Sequence, residues 1–84
     1  MNKEKIIIVL KLHQRGVEYD IEIPTDITAV ELIIGLNEAF SLGMDTSDSA
    51  RCYLKAENPI ALLRGNKLIS DYGLYNGSII NFTD

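Results

Sequence analysis

Arg64-Gly65-Asn66-Lys67-Leu68-Ile69-Ser70-Asp71-Tyr72-Gly73-Leu74-Tyr75-Asn76-Gly77-Ser78-Ile79-Ile80-Asn81-Phe82-Thr83-Asp84 reads as a glycine turn, a leucine-bearing loop, an Asp-Tyr corner, a second turn and a short strand. Asn76-Gly77 supplies the second turn, because both residues tolerate positive φ. The strand that follows, Ser78 to Phe82, points Ile80 and Phe82 inward. Leu68 and Leu74 are expected to plug a core from the loop. A stretch that closes a sheet needs a sheet to close, and the upstream sequence supplies one.

Ile6, Ile8, Leu10 and Leu12 fall on one face of a first strand, with Lys5, Ile7, Val9 and Lys11 on the other. His13-Gln14-Arg15-Gly16 is a polar turn ending in a residue free to take positive φ. In the second strand Val17, Tyr19, Ile21 and Ile23 alternate with Glu18, Asp20 and Glu22, the pattern of a half-buried strand. Pro24, which has no backbone donor, stops the ladder.

Thr28 and Glu31 then form a capping box at the start of a helix, with Ile27 and Leu32 placed for a hydrophobic staple. Ala29, Leu32, Ile33, Leu36 and Phe40 make its apolar stripe, and the pattern predicts a helix running to about Leu42 with Gly43 as the stop. Gly35 costs this helix about 1 kcal/mol relative to alanine, which close packing on a sheet would offset. After a polar connector over 44–50, Cys52 and Leu54 alternate with Tyr53 and Lys55 in a third strand, at about Arg51 to Ala56. Glu57-Asn58-Pro59 turns into a short fourth strand, Ile60 to Leu63. The order is β-β-α-β-β-β.

The chain of 84 residues is expected to be a single domain, 1–84, near the lower limit for a self-sufficient core. Such a chain buries about 60–65% of its unfolded surface, leaving little interior for an enclosed active site. Twelve acidic residues against eight Lys and Arg give a formal charge of −4 with no basic cluster. That balance disfavours nucleic acid, whose affinity rests on cations neutralising phosphates. The apolar run Ile6 to Leu10 is too short for a signal-peptide core or a membrane span, so direct membrane insertion is not expected and a cytoplasmic location is. A lone cysteine, Cys52, excludes an internal disulfide and four-cysteine metal sites.

Hairpin, single capped helix, two short strands, Asp-Tyr loop and last strand together resemble the ubiquitin-like β-grasp, an α+β fold with one helix packed on a mixed sheet. The local likenesses are Ile23-Pro24-Thr25-Asp26 entering the helix and Leu68-Ile69-Ser70-Asp71-Tyr72 before the last turn. The final stretch is similar to the YukD family, whose members carry a Lys-Leu-x-Asp-x-Gly-Ile-x-Asn-Gly-like run. Here it stands as Lys67-Leu68-Ile69-Ser70-Asp71-Tyr72-Gly73-Leu74-Tyr75-Asn76-Gly77, with one extra residue, Ile69 or Ser70, before the aspartate. The resemblance implies an accessory or regulatory component of type VII protein secretion in Gram-positive bacteria. It would be a small non-conjugated adaptor, whose protein partner is the cytoplasmic part of a membrane secretion apparatus.

The alternative within the superfamily is a conjugated modifier or sulfur carrier. Those proteins need a flexible terminal Gly-Gly; this sequence has Thr83-Asp84 there and no Gly-Gly internally, so neither chemistry is expected. A nucleophile would have to be Cys52 with His13 as base. His13 belongs to a turn and Cys52 to an inward strand face, where a cysteine is an inert core residue. Asp45 and Asp48 begin like a calcium loop, but Ala50 and Ala56 stand where glycine and glutamate belong. Asn76-Gly77-Ser78 and Asn81-Phe82-Thr83 match the glycosylation sequon, though Asn76-Gly77 already has a turn role. No enzymatic activity and no catalytic, cofactor-binding or metal-binding residue is expected.

Binding is expected to use the surface. Glu18, Asp20 and Glu22 read as a solvated stripe that also guards a strand edge, with contact to a basic partner as the other use. Matching to ubiquitin's apolar patch leads to Leu12, Tyr53, Asn81 and Thr83, two of which are polar. The more apolar outward residues are Ile7, Val9, Tyr53 and Ile79, and pairing of the first and last strands would unite Ile7, Val9 and Ile79 into a patch.

Overall fold

A computed structural model describes residues 4–83. Strands β1 (Lys5–Leu12) and β2 (Val17–Pro24) form an antiparallel hairpin in the register Ile8↔Ile21 and Leu10↔Tyr19. Helix α1 (Ala29–Phe40) follows, then β3 (Tyr53–Glu57), β4 (Ala61–Arg64) and β5 (Ile79–Phe82). The sheet order is β2-β1-β5-β3-β4. β5 runs parallel to β1 and antiparallel to β3, so the sheet is mixed and the last strand lies at its centre. Element order and architecture are those read from the sequence, with strand ends displaced by one or two residues.

The helix packs on one face of the sheet. Its Ala29, Leu32, Ile33 and Leu36 are buried against Ile8, Leu10, Leu12, Ile23, Leu54, Ala56, Leu63 and Ile80. The capping box is complete: Thr28 Oγ1 accepts from Glu31 N, and Glu31 Oε1 accepts from Thr28 N at 2.9 Å. The other leading helix donors bond outside the helix, Ala29 N to Lys67 O and Val30 N to Gly65 O. The 64–67 turn thus satisfies backbone groups that a helix cannot pair internally. Within the capping box, hydrogen bonds from the Thr28 backbone and then its side chain hold the Glu31 carboxyl below the ordinary carboxylate range.

Three expectations change. The helix ends at Phe40, with Ser41 in the left-handed region, two residues before the expected last helical residue, Leu42. Long-range bonds set that end: Arg15 donates from Nη1 to Phe40 O and from Nη2 to Ser41 O, both at 2.7 Å, while Asn37 exchanges two bonds with the Met44 backbone. Leu68 is 39% exposed, and its neighbour Ile69 is the buried plug, with Leu74 buried as expected. A 3-10 turn over Ile69–Tyr72 begins one residue beyond Leu68 and turns Ile69 into the core. Gly35 lies on the exposed side of the helix, and a Cβ there would meet nothing within 4 Å. Close packing therefore does not account for it.

Candidate protein-binding surface

The sheet face opposite the helix is open. The register builds a row across it, Asp20–Val9–Ile79–Glu57, one residue from each of β2, β1, β5 and β3. Ile7 sits one row along β1 beside Glu22, and is 50% exposed. Val9 and Ile79, directly paired, are partly exposed. The structure thus brings Ile7, Val9 and Ile79 together, bordered by carboxylates on both sides. Tyr53 shares the face and is exposed, but pairs with Arg64 at the other end of β3, separated from the cluster by the row Lys11–Asn81–Lys55. Leu12 is buried in the core, so it belongs to no exposed patch.

Asn81 organises the middle of this face. Its Nδ2 donates to Glu57 Oε1 at 2.9 Å, and its Oδ1 accepts from His13 Nε2 at 2.7 Å. The carboxylate only accepts, which orients the amide and requires the proton on His13 Nε2. Asn81 is buried by these neighbours although it points away from the core, while Phe82, expected inward, is half-buried. Beside Asn81 an open depression of about 720 Å³ is lined by Lys55, Glu57, Ile60, Leu62 and Thr83 among others. Ile60 is 91% exposed there. Alternation in Ile60-Ala61-Leu62 was the available signal for this second apolar area; its place beside Asn81 needed the β3–β4 register, Lys55↔Leu62.

The remaining candidates fall elsewhere. Cys52 is buried with Leu54 and Ala56 on the helix side; burial pushes its thiol pKa up and the Asp45 charge adds to this. His13 is engaged on the opposite face, so the two do not form a nucleophile–base pair. Asp45 accepts from the side chain and backbone of Ser47, which holds its carboxyl below the usual range, and Asp48 accepts from Ala50 N. These are turn-forming bonds. Among the described residues no group of three His, Cys, Asp or Glu side chains is arranged to hold a metal ion. No helix among them is long and apolar enough to cross a membrane. Asn76 Oδ1 accepts from Ile7 N at 2.8 Å, tying the last turn to β1.

Comparison with known proteins agrees with the fold. The family model described as "WXG100 protein secretion system (Wss), protein YukD" matches residues 6–81. No curated protein matches the chain. Among solved structures, the C-terminal ubiquitin-like domain of mouse tubulin-specific chaperone e superposes with a TM-score of 0.69 at 11% identity, covering 100% of this chain and 92% of that one. The UBL domain of Plasmodium falciparum Dsk2 gives 0.62 at 17% identity, covering 95% and 100%. A de novo designed protein based on ubiquitin gives 0.63 at 15%, covering 94% and 87%. At such identities the likeness is one of fold: this is a ubiquitin-like β-grasp.

Proposed function

The chain belongs to the YukD family of the WXG100 protein secretion system, and on that premise we propose that it is a non-conjugated adaptor of type VII secretion. It works in the cytoplasm by holding a protein partner, the cytoplasmic part of the membrane secretion apparatus, and performs no catalysis. The observation that carries this reading is the pairing of Val9 with Ile79 beside Ile7, an apolar cluster on a face that no element among the described residues covers. Exposed apolar clusters rimmed by polar groups mark interaction sites. The buried, hard-to-ionise Cys52 supports a binding role, since the thiolate is the reactive form of cysteine.

The test is secretion of WXG100 substrates by host cells carrying Ile7→Asp. Ile7 is half exposed, so the variant is expected to fold and to lose secretion, and a photo-crosslinker at position 9 is expected to capture a component of the secretion apparatus. Normal secretion by folded Ile7→Asp protein would overturn the use of this face. Isopeptide-linked or thiocarboxylated forms of the chain in cell extracts would overturn the non-conjugated reading.

A further inference from the structure

β2 is an edge strand, and its backbone is aligned for a partner. Thr25 N donates to Glu4 O, and Val9 N and Ile7 O bond toward β5 at Ser78 and Gly77. With the β1–β2 register this makes the odd-numbered residues of β2 the ones that bond to β1. The N–H and C=O groups of Glu18, Asp20 and Glu22 therefore point outward from the sheet, away from β1. Their side chains stand on the open face. The alternate residues, Val17 and Tyr19, stand on the helix side, yet they are 38% and 44% exposed because the helix does not cover this margin. Tyr19 meets Phe40 at a ring-centroid distance of 5.2 Å, which makes an apolar wall there.

We propose that the β2 edge accepts an extended segment of another protein as an additional strand, in which Lys or Arg alternates with apolar residues. Residues of a docked strand that lie on the open face fall beside Glu18, Asp20 and Glu22, and those between them fall beside Val17, Tyr19 and Ile21. The acids repeat at about 7 Å, the spacing of alternate residues in any strand. Lys5 lies 3.9 Å from Glu22 and Lys11 3.7 Å from Glu18, whereas Asp20 has no ion pair among the described residues. The edge keeps a net negative charge, which attracts a basic strand and repels a second copy of itself. This surface is distinct from the Ile7–Val9–Ile79 cluster, and its use does not depend on that cluster's.

The probe is a capped seven-residue peptide alternating Lys and Val, titrated into isotope-labelled full chain and followed by NMR. Shift changes are expected along Val17–Glu22 and Phe40, with amide exchange at Glu18, Asp20 and Glu22 slowed about tenfold at saturation. Asp20→Lys is expected to weaken binding about fivefold, the scale of one exposed ion pair. N-methylation of either the Lys or the Val set of peptide amides must abolish binding, and the set that does so reports the strand direction. Binding that survives both methylations, or is unchanged by Asp20→Lys, would overturn the proposal. So would shifts confined to Ile7, Val9 and Ile79, or edge protection that grows with protein concentration without peptide, the sign of self-pairing.

Discussion

The two edges of the sheet are finished in different ways. At the β4 edge Tyr72 reaches across so that its hydroxyl accepts from Arg64 N at 3.2 Å and donates to Arg64 O at 3.0 Å, while Val30 N takes Gly65 O. Lys67 Nζ lies 4.7 Å from the centre of the Tyr72 ring, so the corner is held from both sides. At the β2 edge the outward backbone groups meet no such cap among the described residues and are flanked by three carboxylates. A sheet edge is made safe either by filling its hydrogen bonds or by charging it. The β4 edge is filled at Arg64 and spent there on the fold, and the charged one stays available.

The largest expected effect comes from the filled side. Ile69→Ala removes its buried plug and should destabilise the protein by about 3 kcal/mol, read from urea unfolding. Tyr72→Phe deletes only the hydroxyl and should cost about 1 kcal/mol, with faster amide exchange at Arg64 if the cap is what protects it. Gly35→Ala sharpens the comparison by changing neither edge: open space at that Cβ predicts a gain of about 0.8 kcal/mol, visible as a higher denaturation midpoint. Neutralising the other edge with Asp20→Asn, which leaves Glu18 and Glu22 balanced by Lys11 and Lys5, should change monomer stability by under about 0.5 kcal/mol. The same variant should self-associate in light scattering, because the repulsion is gone.

The smallest effect is a pH dependence at the cap beside the filled edge. The folded state holds the Glu31 carboxyl below the ordinary glutamate value, because the Thr28 backbone and side chain hydrogen-bond to it. A depressed acid stabilises the fold above its unfolded pKa, and that contribution disappears as pH falls through the folded value. Wild type should therefore exceed Glu31→Gln in stability at pH 7, and the gap should close below about pH 4.

Much of the fold was legible in the sequence and much of what finishes it was not. The Thr28–Glu31 box, the Asn76-Gly77 turn and the alternation of β1 are local patterns, and each formed as read. Arg15 capping a helix 25 residues away is not local, and it moved the helix end from Leu42 to Phe40. The one-residue difference between Leu68 and Ile69 depended on where a 3-10 turn begins, which neither hydrophobicity nor spacing decides. On the open face, alternation placed Ile7, Val9, Tyr53 and Ile79 outward. Only strand register separates Tyr53 from the other three and buries Asn81 between His13 and Glu57. Alternation likewise put Val17 and Tyr19 on the helix side without saying how far the helix reaches.

The parallel pairing of β1 with β5 has a consequence for how the protein is made. Val9 to Leu12 emerge from the ribosome before the helix, and their central neighbours, Ile79 to Phe82, emerge only after β3 and β4. Until then the first hairpin has one long flank of its middle strand unoccupied, and β3 with β4 has no sheet to join. Contacts so distant along the chain slow folding. Completion of this sheet waits on the synthesis of β5, and the nascent chain carries a sticky, half-built edge until that strand arrives.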